Sequence, residues 1–148
     1  MTSTGWEPAV TIDGKTSYQA GIHVDFGFQQ PLARMGPAGA TTLVLWHYPS
    51  TEEFAHPAYL DNYLQCAGTA ECMTLELRVT HEDGSHTQWV LGREPLTGGE
   101  SERVVWDAGQ AMVHPEEVWA AEQAAPLFEQ YARERTVPDW VHRRELDI

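Results

Sequence analysis

Residues 104–146 read VVWDAGQAMVHPEEVWAAEQAAPLFEQYARERTVPDWVHRREL, and this stretch carries the clearest prediction of the fold. Residues 104–106 have the β-branched and aromatic content of a buried strand, and residues 107–109 are expected to turn the chain. Pro115 then stands at a favourable first helical position, with Glu116 and Glu117 in the first turn, where a helix stabilises negative charge. The stretch predicts a strand, an acidic turn, a helix that begins at Pro115 and a tail that folds back.

The predicted helix is amphipathic, because apolar residues recur at steps of three and four. Pro126 lies in its middle and removes the hydrogen bond to the carbonyl of Glu122, which costs about 3 kcal/mol in a regular helix. We therefore expect either one helix kinked near Pro126 or two pieces that meet near Ala125. The apolar stripe consists of Val118, Ala121, Ala125, Phe128 and Ala132.

The end of this helix and the tail have separate signals. Arg133 and Arg135 fall where a helix favours cations, and Pro138 prevents its continuation. Trp140 is expected to dock on the sheet or the helix and so to anchor the tail.

The rest of the chain alternates strand and helix signals. Residues 73–79 give the cleanest alternation of apolar and polar side chains, and residues 82–84 turn the chain into a returning strand, 86–91. Ser50 and Glu53 form a capping box, so a helical segment is expected over residues 50–68, interrupted at Pro57. Residues 29–39 are expected to form a loop. Further strands are predicted at residues 6–12, 18–28 and 41–48.

These elements define an α+β fold class. We expect a mainly antiparallel sheet of about six strands, an amphipathic C-terminal helix kinked near Pro126 and a second helical segment packed on the sheet. The 148 residues fit one domain, residues 1–148, with residues 1–5 disordered. The start, MTSTG, lacks the features of a signal peptide, and we expect a cytoplasmic protein that does not enter a membrane. Cys66 and Cys72 are expected to be reduced core residues.

Charge is the most informative bulk property. The net charge is −13, and residues 1–132 hold 5 basic and 18 acidic side chains, while residues 133–148 hold 4 of each. Such a surface repels nucleic acid and attracts basic partners, and it is also what an ordinary soluble acidic protein carries.

The sequence offers no catalytic or metal-binding motif. His81 and His86 flank a turn, and His47, His56 and His114 stand near element ends, but none of these pairs has the spacing of metal ligands, so exposed turn histidines are expected. The chain has no nucleophile elbow, phosphate-binding loop or dinucleotide-binding fingerprint. We therefore predict no catalytic residue, no metal and no cofactor.

A binding role is indicated instead by acidic residues in one continuous part of the chain. Because hairpin and loop tips can gather at one edge of a sheet, these residues are candidates for a partner-binding surface; the alternative is that they are dispersed solvating charges. The candidates are Glu82 and Asp83 at the hairpin tip, Glu94, Glu100 and Glu102 in the following loop, and Asp107 after the last strand.

The second half of the chain resembles the Imm1 family of bacterial immunity proteins. The resemblance is carried by the alternating strand at 73–79, the returning strand with Trp89, the glycine-rich loop, VVW at 104–106, the segment VHPEEVWAAEQAAPLFEQY and the ending VPDW. It implies a cytoplasmic inhibitor encoded beside a polymorphic, often deaminase-type toxin, and it carries over no catalytic position. An acidic surface can occupy the basic cleft of a nucleic-acid-acting toxin, so the expected partner is a toxin protein rather than nucleic acid.

An enzyme is the alternative. Residues 41–65, a strand followed by FAHPAYLDNY, resemble the monooxygenase-like domains of the dimeric α/β-barrel kind, with His56 as a pocket residue. A bound small molecule or haem would favour this alternative.

Overall fold

A computed structural model describes residues 6–17, 27–36, 41–49 and 61–147 of the chain. Two α-helices, α1 (Gln29–Ala33) and α2 (Ala121–Glu134), and a 3-10 turn at Pro115–Glu117 accompany nine strands in this part of the chain. The strands are β1 (Trp6–Ile12), β2 (Lys15–Ser17), β3 (Thr42–Pro49), β4 (Tyr63–Thr69), β5 (Cys72–Thr80), β6 (His86–Gly92), β7 (Glu102–Trp106), β8 (Gly109–Val113) and β9 (His142–Glu145).

The main sheet has seven strands in the order β2-β1-β3-β4-β5-β6-β9, and every neighbouring pair is antiparallel. Strands β7 and β8 form a separate two-stranded sheet. The predicted α+β class with a mainly antiparallel sheet is confirmed. The predicted strand at residues 6–12 and the hairpin of β5 and β6 are also found, because their alternating side chains fit a sheet with one buried face.

The main core lies between one face of the sheet and α2. Phe128 is fully buried in it, its ring centroid 5.6 Å from that of Phe28. Leu75 and Leu91 face the helix from the central strands. The predicted stripe is confirmed for its four helical members, since Ala121, Ala125, Phe128 and Ala132 are all buried.

The helix does not begin where the proline and glutamates suggested. Residues 115–117 form only a 3-10 turn, and Trp119 is extended, exchanging two backbone hydrogen bonds with Met73 at 2.9 and 3.0 Å. The Trp119 indole is buried and donates to the carbonyl of Leu91 at 2.9 Å. Because this tryptophan must reach the start of β5, α2 starts only at Ala121.

Pro126 is accommodated inside one continuous helix. Since α2 begins at Ala121, Pro126 falls in its second turn, and Glu122, whose carbonyl loses its amide partner, is exposed. The carbonyl can therefore be hydrated. The helix ends as the arginines predicted, with Arg135 in the left-handed region at φ 62° and its N–H donating to the Tyr131 carbonyl at 2.8 Å.

Two helix predictions are wrong in location. Residues 63–69 form β4 rather than the end of a helix, with Tyr63 and Leu64 buried on opposite faces of the sheet; residues 50–60 lie outside the described residues. The second helix is α1, where a loop was expected, because Leu32 is fully buried and α1 packs on α2. Most of the strand predicted at 18–28 also lies outside the described residues, and Phe28 is the residue before α1.

The tail is held by strand pairing rather than by Trp140. Strand β9 pairs with β6, and Val137 and Val141 are buried. Trp140 is 60% exposed, and its ring centroid lies 6.4 Å from that of Trp119. The predicted Trp140 anchor is therefore wrong. In the described part of the chain, neither α-helix is long and apolar enough to cross a membrane.

His47 is a buried residue of the main core and not the exposed turn histidine that was expected. It lies on β3, where its Nε2 is 3.0 Å from the carbonyl oxygen of Ala132 and its ring packs on Tyr131. The pKa of His47 is lowered to about 4, mainly by burial and also by the nearby charge of Arg135, while the bond to Ala132 acts in the opposite direction. The neutral ring thus joins β3 to α2.

Substitution of His47 should change the pH dependence of stability. The folded-state pKa, about 4, is below the ordinary value of 6.5, so the contribution of His47 is complete above pH 6.5 and is lost as the pH falls through 4. This contribution is about 3 kcal/mol. His47→Gln keeps a donor for Ala132 but does not titrate. Urea unfolding from pH 7 to 4 should therefore show a shallower decline in the variant, whereas parallel curves would contradict the assignment.

Candidate functional site

The β7–β8 hairpin stands apart from the main sheet and presents one face to solvent. Its inner face carries Val104 and Val113, both buried, which pack with Val90 on the side of the main sheet opposite α2. Gly68, at φ +129°, lets the hairpin approach β4, because a Cβ there would lie 3.0 Å from Cγ1 of Val104 and 2.3 Å from the carbonyl oxygen of Cys72.

The outer face of this hairpin, Arg103, Val105, Gln110 and Met112, has an apolar centre. Cross-strand pairing sets Arg103 opposite Met112 and Val105 opposite Gln110, so Val105 and Met112 are diagonal neighbours. Val105 is 55% exposed and Met112 46% exposed. The sequence prediction of a buried strand at residues 104–106 therefore holds for Val104 and fails for Val105.

Exposed carboxylates stand at the end of the main sheet to which this hairpin is attached. At one end of the main sheet β1, β4 and β6 finish and β3, β5 and β9 begin. The hairpin, the loop over residues 93–101 and the start of α2 are attached to the same end. We call it the acidic end and define it by its exposed carboxylates: Asp13, Glu71, Glu94, Glu100, Glu102, Asp107 and Glu122.

The structure divides the predicted binding residues into two groups. Glu82 and Asp83 lie at the β5–β6 tip, at the other end of β6, whose seven residues span about 20 Å. There the hydroxyl and amide of Ser85 both donate to Asp83, which lowers the pKa of that carboxyl group. The remaining four predicted residues belong to the acidic end: Glu94, Glu100, Glu102 and Asp107.

The Glu117 carboxylate holds the segment that follows β8 at the acidic end. Its side chain is fully buried, and Arg144 of β9 donates to it through Nε at 2.8 Å and through Nη2 at 2.9 Å. The amide of His114, which follows β8, donates to the same carboxylate at 2.9 Å. Hydrogen bonding to Glu117 raises the pKa of Arg144. One carboxylate therefore connects the exit of the hairpin to the last strand of the main sheet.

The loop over residues 93–101 is tied to the same turn. Arg93 donates through its amide to the carbonyl of Glu116 at 2.8 Å and through Nε to the carbonyl of Val118 at 2.8 Å. The hydroxyl of Thr97 donates to Glu116 at 2.6 Å, which lowers the pKa of that carboxyl group. Glu94 and Glu100 are thereby held on a loop with several fixed points.

Asp107 is fixed at the opposite tip of the hairpin. Its amide donates to the hydroxyl of Thr41 at 3.1 Å, and the amide of Thr41 donates to Asp13 at 3.1 Å. Asp13 stands in the β1–β2 turn at φ 47°. Two carboxylates from distant parts of the sequence thus lie at neighbouring positions of the acidic end.

The structure offers little support for a metal or thiol site. No group of three or more histidine, cysteine, aspartate or glutamate side chains could hold a metal ion among the residues that the structure describes. Cys66 is buried in the main core and Cys72 is half-buried beside the hairpin, and both are free thiols. Burial raises the pKa of both. His81 and His86 are exposed as expected, and His56 lies outside the described residues.

Sequence reasoning missed several members of the candidate surface. Strand β8, GQAMV, contains a single β-branched residue, so nothing marked it as a strand that would expose Met112. Asp13, Glu71 and Glu122 stand in turns or at a helix start, and only the antiparallel register brings them to the end that carries Asp107. Residue type does not alternate between the inward Val104 and the outward Val105, which are both valine, so the sequence did not mark Val105 as exposed.

Comparison of the chain with protein-family models, with curated proteins and with solved structures found no match.

Loss of the Glu117 charge should loosen the acidic end. Glu117→Gln leaves the guanidinium of Arg144 without its buried anion, and removal of one partner from such a pair costs about 3–5 kcal/mol. Glu100→Gln is the matched control, because Glu100 is half-exposed and lies 3.7 Å from the same guanidinium. It should cost less than about 1 kcal/mol. Equal urea midpoints for the two variants would contradict the special role of Glu117.

Proposed function

We propose that this protein is an immunity protein of the Imm1 kind that neutralises a bacterial toxin in the cytoplasm by covering its basic, nucleic-acid-binding cleft. The observation that carries the proposal is the exposed apolar pair Val105 and Met112, on a hairpin that is attached to the acidic end. The resemblance of the second half of the chain to that family supports the choice of partner.

The apolar pair supplies what a protein interface needs at its centre. Stable interfaces combine a desolvated apolar core with a polar rim, and methionine is enriched in their centres. Val105 and Met112 lie on a regular hairpin whose inner face is packed, so they are held in position before binding. Little ordering entropy is then lost when a partner covers them.

The carboxylates supply steering and selectivity. A toxin that acts on nucleic acid must present positive charge to phosphates, and that charge is complementary to the acidic end. Exposed rim charges act mainly on the association rate, by up to several orders of magnitude at low salt. Glu94 and Glu102 are both exposed, and no cation within ion-pair distance of either is found among the described residues.

The enzyme alternative has less support. It depended on a strand followed by a helix over residues 41–65, but residues 63–65 belong to β4, and residues 50–60, with His56, lie outside the described residues. Inhibition by occlusion, in contrast, requires only an exposed surface such as the acidic end and the outer face of the β7–β8 hairpin.

Two matched double variants test the proposal against the toxin encoded beside this gene. Glu94→Gln with Glu102→Gln removes two charges from the acidic end, and Glu82→Gln with Asp83→Asn removes two charges from the far tip. The association rate constant is measured by stopped flow at 20 and 150 mM salt. For the first variant it should be at least several-fold lower than for the parent and should depend less on salt, and for the second variant it should be unchanged. A third variant, Val105→Ser with Met112→Ser, should raise the dissociation rate.

The result is decisive in either direction. If the tip variant slows association and the acidic-end variant does not, the interface lies at the far tip and the proposed surface is wrong. If no protein encoded beside the gene binds at all, the immunity function is wrong. Circular dichroism and urea midpoints of each variant control for unfolding.

A further inference from the structure

A cavity of about 290 Å³ lies on the face of the sheet that packs against α2, beside the last turn of that helix. It is bounded by the last turn of α2, by β5 and by β9. Arg143, Arg135, Tyr131 and Asn62 supply polar groups, and Leu77 and Val137 supply an apolar floor. A protein of net charge −13 thus places two of its nine cations around one small cavity.

Several residues that line this cavity carry hydrogen-bond donors. The guanidinium of Arg143 lies over the Trp89 ring at 5.6 Å, and no carboxylate within ion-pair distance of it is found in the described part of the chain. The Tyr131 hydroxyl has no hydrogen-bond partner among the same residues, and burial raises its pKa to about 12, so it keeps its proton. The side-chain oxygen of Asn62 accepts from the amide of Thr80 at 2.9 Å, which leaves the amide NH₂ as a donor.

The donors favour an anionic ligand, and the apolar floor favours a ligand that also carries an apolar group. A guanidinium with neutral donors beside it is the usual environment for a carboxylate. Leu77 and Val137 are both buried, so an apolar group on them would be removed from water. The volume is at the small end of ligand pockets, which admits only a small molecule.

We propose that this cavity is a binding site for a small organic carboxylate with an apolar body. The carboxylate contacts Arg143, Tyr131 and Asn62, and the apolar body rests on Leu77 and Val137. Arg135 also lines the cavity. Inorganic phosphate would bind the donors but would leave the apolar floor uncovered. A neutral analogue would cover the floor but would not pair with the arginine.

Titration with benzoate, phenylacetate and hexanoate tests the site, with benzyl alcohol and inorganic phosphate as partial ligands. Saturable NMR shifts at the amides of residues 77, 131 and 143 are expected with the carboxylates, and affinity at least tenfold weaker with either partial ligand. Arg143→Gln should weaken benzoate binding at least tenfold, and Tyr131→Phe several-fold. Arg133→Gln is the matched control, because Arg133 is exposed on α2 and does not line the cavity.

The proposal is overturned if none of the three carboxylates produces saturable shifts, if phosphate binds as tightly as benzoate, or if Arg143→Gln binds like the parent. Arg143 is exposed, so its variant should keep the parent's urea midpoint. Toxin association should also be unchanged in Arg143→Gln, since the cavity lies on the face of the sheet that packs against α2 and the β7–β8 hairpin packs on the other face. The two proposals can therefore fail independently.

Discussion

The buried ion pair of Glu117 and Arg144 is the constraint on which the candidate surface depends. The carboxylate has no contact with water, so its charge must be compensated by the guanidinium at 2.8 and 2.9 Å and by the amide of His114. Such a pair adds little net stability over an apolar replacement, but it is directional. It holds the segment that follows β8 against β9. The short connection from Glu117 to α2 then brings Trp119 to β5, where it pairs with Met73. The hairpin, the 3-10 turn and the last strand are fixed together.

Carboxylates from turns that are distant in sequence meet at the acidic end, and Glu82 and Asp83 lie at the far tip. Arg135 and Arg143 line the cavity on the face of the sheet that packs against α2. The exposed Val105 and Met112 lie on the acidic side, where desolvation of an apolar centre and attraction of a basic partner act together. We therefore propose that the acidic end binds a cationic protein and that the cavity binds a small anion.

The sequence predicted those features that depend on local pattern. Alternation along β5 and β6 and the stripe that contains Phe128 follow from periods of two and 3.6 residues, which burial on one face imposes. The start of α2 was missed because Pro115 and Glu117 suit a helix and a 3-10 turn equally, and the choice depends on Arg144, 27 residues away. The candidate site was partly predicted: Glu94 and Glu102 belong to it, while Glu82 was included because chain proximity was taken for spatial proximity. Met112 carried no sequence signal.

Hydrogen exchange of the protein alone and in complex with the toxin encoded beside its gene tests the central claim most directly. The account predicts that binding slows exchange at amides of the β7–β8 hairpin and of residues 93–101, because the partner covers the outer face and the acidic end. Amides of residues 81–85, at the far tip, should exchange as in the free protein. Protection confined to the far tip, with the hairpin unchanged, would contradict the account.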